Sequence, residues 1–572
     1  MNKLVLPVIV LALLGGGIAW YLFSKSGDSE FELDKEKQQF IWDAEHVTFE
    51  IENYFGKPLN KALKENDDEA IRKLVRDDFE AQTLVIPGST KTNLDTFVEE
   101  KWTEDLQTES TDVNGLIAFF RERMKGYAEV LRAKTRVIKI HQAAGEPGSW
   151  DTELLITVHG VSQSGNPLKI RSHHLVRFQY EEDEQIHDGN AAKSWKTVDI
   201  SLTESTKPFF AEKTTQLGLH KFNIPDNWVL PVEDTHQFLF QIAVEDFDLD
   251  GDYDIAVSTY DGIPYLLAWE NGKYVNKSQA LGLKSWEPIG ARKSALAGWI
   301  DFDNDGYPDL IMGKYIYKNV GGLRFRDITE ESGFNTGHDP HGITVADYDC
   351  DGLLDLYVSY PRGYQQKLEK AGWVGDEEGG VPNKLWHNEG NGKFKDVTSK
   401  ANAGGGARTT FTSSWFFYDD DAYPDLYVVN DFAQNIVLRN KGDGTFEDIS
   451  AASGAADFAT SMGLATGDLD NDGTTEIYVA NMFSKMGRRI ISHVSDEDYP
   501  EGIYPQIQGS CAGNRLYRMS SNGGYEDVTD IAGVNEVGWA FAPLMCDFDG
   551  DGLLDIYATT GFMSFDRKKP DG

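Results

Sequence analysis

Asp547-Phe548-Asp549-Gly550-Asp551-Gly552-Leu553-Leu554-Asp555, followed at once by Ile556-Tyr557-Ala558, is the stretch on which the fold turns. Carboxylates stand at positions 1, 3, 5 and 9 of a nine-residue loop, and Gly552 stands at position 6. Odd spacing lets a curled backbone aim each acid inward, and glycine permits the left-handed turn that closes the curl. Converging carboxylate oxygens repel one another unless a hard cation gathers them; Ca²⁺ takes about six to eight oxygens. The loop begins like an EF-hand loop, lacks the Glu at position 12, and runs into a strand instead of a helix.

The loop recurs along the chain. Asp246, Asp248, Asp250 and Asp254, with Gly251, form the first copy. Asp301, Asp303, Asp305 and Asp309, with Gly306, form the second. Asp347, Asp349, Asp351 and Asp355, with Gly352, form the third. Asp468, Asp470, Asp472 and Glu476, with Gly473, form the fifth. Asp547, Asp549, Asp551 and Asp555 complete the series as the sixth. Between the third and fifth lies a degraded fourth copy: Phe417, Asp419, Asp421, Ala422, Asp425. One such match is a weak signal, but six in register, each opening a strand, are a strong one. The acids of the five good copies are therefore the expected metal ligands, with Ca²⁺ as the expected ion. The fourth copy, missing its first acid and its glycine, is expected to bind weakly or not at all.

The chain has 572 residues and a net charge of -39, enough for two or more domains. The six loops hold 25 of its acidic residues, so part of the charge is ligand chemistry. The remainder repels nucleic acid, which is excluded as a partner. Residues 4–23 are uncharged and almost wholly apolar, long enough as a helix to span a bilayer core of ~30 Å. Lys3 precedes them and Asp28, Glu30, Glu32 and Asp34 follow, which places the amino terminus in the cytoplasm and the bulk outside. Residues 1–25 thus read as a transmembrane anchor, or as a cleaved signal segment that would leave a secreted protein. Cys350, Cys511 and Cys546 show no metal spacing and read as small buried side chains, with at most one disulfide among them.

Residues 26–44 read as a solvated tether. Beyond it, Asn66-Asp67-Asp68 offers a helix cap, and Ile71, Leu74, Val75 and Phe79 share a helical face. Leu116–Ala133 carries a second helical pattern. The period then becomes two: Leu168, Ile170, Val176, Phe178 and Tyr180 alternate with Lys169, Arg171, His173, Arg177 and Gln179. Residues 153–159 and 195–202 are further strands. Helices followed by long antiparallel strands ending in Trp195-Lys196-Thr197-Val198-Asp199-Ile200 resemble an NTF2-like (SnoaL-like) α+β cone over residues 45–204. The resemblance implies a pocket. His141, His159, His173, His174 and Asp151 are its candidate chemistry, although the adjacent His173 and His174 must face opposite sides of a strand.

Residues 205–572 alternate the acidic loop with a second motif, as in Asn388-Glu389-Gly390-Asn391-Gly392-Lys393-Phe394-Lys395-Asp396-Val397-Thr398. Loop starts at 246, 301, 347, 417, 468 and 547 give intervals of 55, 46, 70, 51 and 79 residues. Short strands with Gly/Asn turns at that period mean blades of a β-propeller, six or, if one has lost its loop, seven. The long intervals hold insertions at 360–382 and 481–509, expected as loops on one face. Phe209-Phe210-Ala211-Glu212-Lys213-Thr214 copies the repeat's Phe-x-Asp-Val-Thr strand and is expected to close the ring by pairing with the last blade.

These residues resemble the FG-GAP/VCBS repeat proteins, the integrin-α-like propellers. Ser461-Met462-Gly463, Asn481-Met482-Phe483-Ser484 and Gly538-Trp539-Ala540-Phe541-Ala542 are similar to the cartilage-acidic-protein-like branch. The resemblance implies Ca²⁺ at the loop carboxylates and an exported, membrane-tethered module that binds a protein or glycan at the cell surface. Two other readings are open: an enzyme, with a site in the cone or in a funnel lined by His338, Asp339 and His341, or an assembly factor for an envelope complex. No nucleophile elbow, phosphate loop or zinc signature is present, so the chain reads as non-enzymatic.

Overall fold

The computed structural model describes residues 33–84, 89–93, 96–102, 108–179, 189–207, 210–224, 240–286, 296–336, 340–361, 381–499 and 501–561. They fall into two units: Phe31–Ala211 with Lys485–Tyr499, and Glu212–Ser484 with Pro500–Gly572. Residues 4–23, read above as an anchor, lie outside the described residues. Among the described residues no helix is long and apolar enough to cross a membrane.

In the first unit, helix α1 (Lys35–Glu50) starts where the Asp34 carboxylate accepts from the amides of Glu36 and Lys37 at 3.0 and 3.1 Å. Ile41, Ala44, Val47, Ile51 and Phe55 form one buried stripe that runs on through a π-helical turn, Ile51–Gly56. Helix α2 (Lys57–Glu65) ends at left-handed Asn66. The stretch expected to be a solvated tether is therefore helical from Lys35. Helix α3 (Asp68–Arg72), capped by Asp67, is only one turn long. The apolar stripe read there as helix divides: Ile71 is helical, whereas Val75 and Phe79 lie on strand β1 (Val75–Leu84), which alternates buried and exposed residues. Helix α4 (Val113–Met124) likewise stops before the expected Ala133, because β5 (Tyr127–Gln142) has begun.

Strands β2 (Thr90–Asn93), β3 (Phe97–Trp102), β8 (Ala192–Ser205), β7 (Pro167–Gln179), β6 (Ser149–Ser162) and β5 follow one another across an antiparallel sheet. Strand β1 joins it parallel to β8 and also pairs with β4 (Thr108–Thr111). The helices cover one apolar face, where Phe55, Phe120, Phe178 and Trp195 meet.

The 481–509 insertion is not a plain loop. Its helix α5 (Lys485–Ile491) carries Arg489, which belongs to this first unit. The Arg489 guanidinium is buried; it forms two parallel bonds to the Glu45 carboxylate at 2.7 and 2.6 Å and donates to the Val137 carbonyl at 2.7 Å. Lys37 pairs with Asp498 in the same segment.

The second unit is a series of antiparallel sheets. Four-stranded sheets occupy 240–276, 296–327, 342–396, 410–448 and 458–527, and a two-stranded one occupies 540–560. The fourth and fifth are fused where Asp431–Gln434 pairs with Phe458–Thr460. First strands of successive sheets pack side by side through all six. Apolar cores lie between consecutive sheets; Phe247, Leu266, Leu310 and Phe325 fill the first, and Leu296, Phe302, Leu356 and Phe394 the next.

Among the described residues the expected closing strand is not seen: Phe210–Thr214 is not a strand, and the sixth sheet has two strands. The chain instead lays Leu219, Phe222 and Ile224 against Val257, Tyr265 and Leu267 of the first sheet, and Tyr274 N–H donates to Leu217 O at 3.0 Å. None of the three cysteines forms a disulfide; Cys511 is buried as expected, whereas Cys350 and Cys546 are exposed.

Replacing Arg489 with Met should destabilise the first unit by about 3 kcal/mol, since it strands a partly buried carboxylate. Urea unfolding followed by a probe in residues 31–211 measures this; an unchanged midpoint would show that the pair holds nothing together.

Candidate metal centres

Each acidic loop joins the first strand of a sheet to its second. The position-9 carboxylate closes it, because one oxygen accepts from the position-2 amide: Phe247 to Asp254 at 3.3 Å, Phe302 to Asp309 at 3.2 Å, Tyr348 to Asp355 at 3.2 Å and Leu469 to Glu476 at 2.7 Å. In the first three loops the other oxygen accepts from the third strand, through the amides of Trp269, Asn319 and Asn388 at 2.9, 2.6 and 2.7 Å. Position 1 accepts from the amides of positions 5 and 6, as Asp250 and Gly251 donate to Asp246 at 3.1 and 2.9 Å. Position 5 accepts from position 7, as Tyr307 donates to Asp305 at 3.0 Å. Gly251, Gly306, Gly352, Gly473 and Gly552 all take φ between 86° and 93°, the conformation for which glycine was expected.

That leaves position 3. The Oδ1 atoms of Asp248, Asp303 and Asp349 are shielded from solvent and meet no hydrogen-bond partner, and neither does Glu476 Oε1. The loops bring candidate ligand atoms within 4.8 Å of one another in the sets Asp246/Asp248/Asp250, Asp301/Asp303/Asp309, Asp347/Asp349/Asp355 and Asp468/Asp470/Glu476. In the sixth loop, Asp547 accepts from Asp551 and Gly552, and Asp549 accepts from Asp551, in the same pattern but more exposed. Burial raises the position-9 acids: Asp254 to about 6, and Asp309 and Asp355 to about 7. These are sites with an excess of negative charge in a half-dry setting, and their donors are oxygens. That is the chemistry of a hard divalent cation, so the residues fit Ca²⁺.

A further set of residues was not legible in the loops. One position on the third strand faces each of the first five loops by strand register: Ala268, Lys318, His387 and Arg439, each immediately before the residue whose amide binds position 9, and Arg518. Lys318 contacts Asp303 and sits 3.1 Å from Asp305. His387 Nδ1 lies 3.2 Å from Asp355 and 3.5 Å from Asp349. Arg439 Nε binds Asp419 at 2.6 Å, and Arg518 stands 3.9 Å from Asp470. The signal lies in the second repeat motif, at the residue before the Asn that opens its turn. In the degraded fourth loop this guanidinium supplies the positive charge. With Phe417 in place of the first acid, the Asp421 amide turns to Asp419. Neither Asp420 nor Ala422 adopts positive φ, so the strain that alanine would suffer in a left-handed turn does not arise.

The motif asparagines tie the repeats together. Asn319, Asn388 and Asn440 are fully buried and donate to the position-2 carbonyl of the preceding loop: Phe247, Phe302 and Tyr348 at 2.8, 2.8 and 2.7 Å. At position 4, Asn304 donates to Gly352 O at 2.6 Å, Asn471 to Gly552 O at 2.8 Å, and Cys350 Sγ lies 3.4 Å from Ala422 O.

A model of the FG-GAP-like repeat matches residues 246–312, 301–358, 418–479 and 507–558. The chain carries FG-GAP-like repeats. It is similar to cartilage acidic protein 1 of Homo sapiens, at 22% identity over 403 residues, 59% of this chain and 59% of that protein. It is also similar to the Xenopus tropicalis protein of that name, at 26% identity over 177 residues, 25% of this chain and 27% of that protein. The FG-GAP chain thus spans less than two thirds of the curated relatives it matches. Among solved structures, BBS1N in complex with ARL6DN resembles it at TM-score 0.32 and 10% identity, over 57% of this chain and 77% of that one, too slight a likeness to carry an argument.

The histidine candidates do not converge. His174 is fully buried and neutral, held near 3 by burial; it accepts from Trp195 Nε1 at 3.0 Å and contacts Ser172 and Thr197. His173 lies between Glu153 and Asp199 on the other side of β7, and its hydrogen bond to Asp199 raises its pKa. Asp151 is engaged by Arg177 at 2.6 and 2.9 Å, and His141 and His159 are exposed. In the FG-GAP unit, His341 Nδ1 donates to Phe411 O at 2.9 Å, while His338 and Asp339 lie outside the described residues.

Two outcomes follow from this geometry. Leu249 holds φ 61° at position 4, where the second and fifth loops place Asn. Leu249→Asn should relieve the turn and add a bond to the next loop, raising stability by about 1 kcal/mol; a lower melting temperature would contradict this. The position-9 acids have unfolded values near ~3.9 and folded values near 6 to 7. The stability they lend is complete below the lower value and disappears as pH rises through the upper one. Chelator-treated protein should therefore melt at falling temperature from about pH 4 to about pH 7; a rising melting temperature across that window would refute the assignment.

Proposed function

We propose that the repeat region is a calcium-clamped β-propeller that serves as a non-enzymatic interaction module for a protein ligand outside the cell. The observation that carries the proposal is the set of buried, partnerless carboxylate oxygens at Asp248, Asp303, Asp349 and Glu476, which a divalent ion would satisfy. Successive packing of the first strands supports the propeller arrangement. The residues that would hold Ca²⁺ are Asp246, Asp248, Asp250 and Asp254, and their counterparts in the second, third, fifth and sixth loops. The ion would neutralise converging carboxylates and so fix each strand start. The protein's own amides already orient positions 1, 5 and 9.

Extracellular calcium modules bind with Kd of about 10⁻⁴–10⁻³ M, which matches a protein that works outside the cell. At ~1 mM Ca²⁺ and a Kd of ~0.1 mM, each site adds about 1.4 kcal/mol, and five sites together add about 7 kcal/mol, comparable with the whole stability of a domain. Rigid scaffolds of this kind present ligand-binding loops without reorganisation. The name shared by the relatives, cartilage acidic protein, accords with an acidic module and adds no ligand.

EDTA should lower the melting temperature markedly, with recovery on adding Ca²⁺, and titration should count five sites or fewer. An unchanged melt, or six equal sites including the fourth loop, would sink this reading.

A further inference from the structure

We propose that the face of the first unit's sheet turned away from its helices is a binding surface for an acidic polysaccharide, a linear chain that carries carboxylate or sulfate groups among its hydroxyls. The proposal goes beyond the reading of the repeats: it concerns the other unit and stands whether or not the acidic loops hold an ion.

Strand register builds the surface. Ala133, Val137, Val158 and Ile170 pack toward the helices, so their neighbours along each strand face outward. Across β5, β6, β7 and β8, one outward row reads Arg132, His159, Lys169, Thr203. The next reads Lys134, Thr157, Arg171, Ser201. Arg132, His159, Lys169 and Arg171 are exposed. Neither row contains an acid, in a chain whose net charge is -39. The acids of these strands stand outside the rows: Glu129 beside Val161 at one end, Glu153 and Asp199 flanking His173 at the other. Glu52, from the π-helical turn, meets Arg136 at 3.4 Å, just beyond the second row. Crowding of like charge is felt by two side chains. Lys134 is held down to about 7 by burial and by Arg136, Arg132 and Lys485. His159 is lowered by burial and by Lys169 and Arg132. An arriving anion relieves that repulsion, and acids elsewhere in the chain are screened beyond about 8 Å at physiological ionic strength.

The occupant follows from what shares the rows with the cations. Thr157, Ser201 and Thr203 set hydroxyls among them, which both donate and accept and so suit sugar hydroxyls lying between acid groups. Four strands at a spacing of ~4.8 Å make each row about 14 Å long, a span for an extended chain and not for a single small anion. Neither row has an aromatic ring to stack on a nucleic-acid base or to seat at a lipid interface. The overall negative charge opposes a nucleic acid further.

The test is fluorescence anisotropy of a labelled heparin oligosaccharide with the full chain, with neutral dextran as the uncharged control. Three single variants are compared: Lys169→Glu and Arg171→Glu in the rows, and Lys196→Glu, an exposed position of β8 that pairs with Leu175 outside them. All three change the net charge equally. The expected result is heparin binding that weakens as NaCl is added, falls at least about tenfold in each row variant, and is unchanged in Lys196→Glu. Two row positions are used so that a fold defect at one, read from its melting temperature, leaves the other to decide. Equal affinity in all three variants, equal binding of dextran, or no heparin binding by the unaltered chain overturns the inference. Binding to phosphatidylglycerol vesicles that the row variants weaken while heparin binding stays assigns the face to a membrane. Self-association that the row variants abolish while heparin binding stays assigns it to a second copy of the chain. Either result overturns the inference as well.

Discussion

The repeat unit depends on a mismatch between donors and acceptors inside a nine-residue turn. Backbone amides satisfy positions 1, 5 and 9 of the first three loops, while one oxygen of each position-3 acid there meets no donor. The carboxylates must nonetheless converge, because the bond from position 9 to position 2 is what turns the chain into the second strand. Every sheet therefore starts with stored repulsion. The chain discharges it in different ways: with Lys318, Arg439 or Arg518 from the facing strand, with His387, or, where Ala268 stands, with nothing from the protein.

This arrangement explains how a degraded copy survives among good ones. At the fourth loop Phe417 removes one charge, and Arg439 holds Asp419. Asp425 still closes the turn by accepting from Tyr418 at 2.7 Å and Asn440 at 2.7 Å. The sheet keeps its geometry because the amide pattern, not the full set of acids, defines the start of the strand.

The loops were legible in the sequence because their spacing is local: acids at odd positions and glycine at position 6 act within nine residues. The facing basic residues were not, since His387 meets a loop that begins 40 residues earlier, across the 360–382 insertion. Around residue 75 the pattern itself misled. Ile71, Leu74, Val75 and Phe79 satisfy a helical period, but Phe79 is buried by alternation on a strand, and pairing with the distant β8 decides between them. Arg489 was illegible for the same reason, its partner Glu45 lying more than four hundred residues away. The closing strand was read from a local copy of a motif. Just after it, Leu219, Phe222 and Ile224 pack on the first sheet.

The position-4 side chains make the turns a linked series, each gripping the carbonyl at the bend of the next. Asn304 and Cys350 join the second, third and fourth turns, and Asn471 joins the fifth to the sixth. Leu249 has no donor, and neither does an ionised Asp420, so the series is interrupted after the first turn and again after the fourth. The row is thus a chain with two open links, and other ties bridge both: Asn319 to the Phe247 carbonyl at the first gap, and the pairing of Asp431–Gln434 with Phe458–Thr460 at the second.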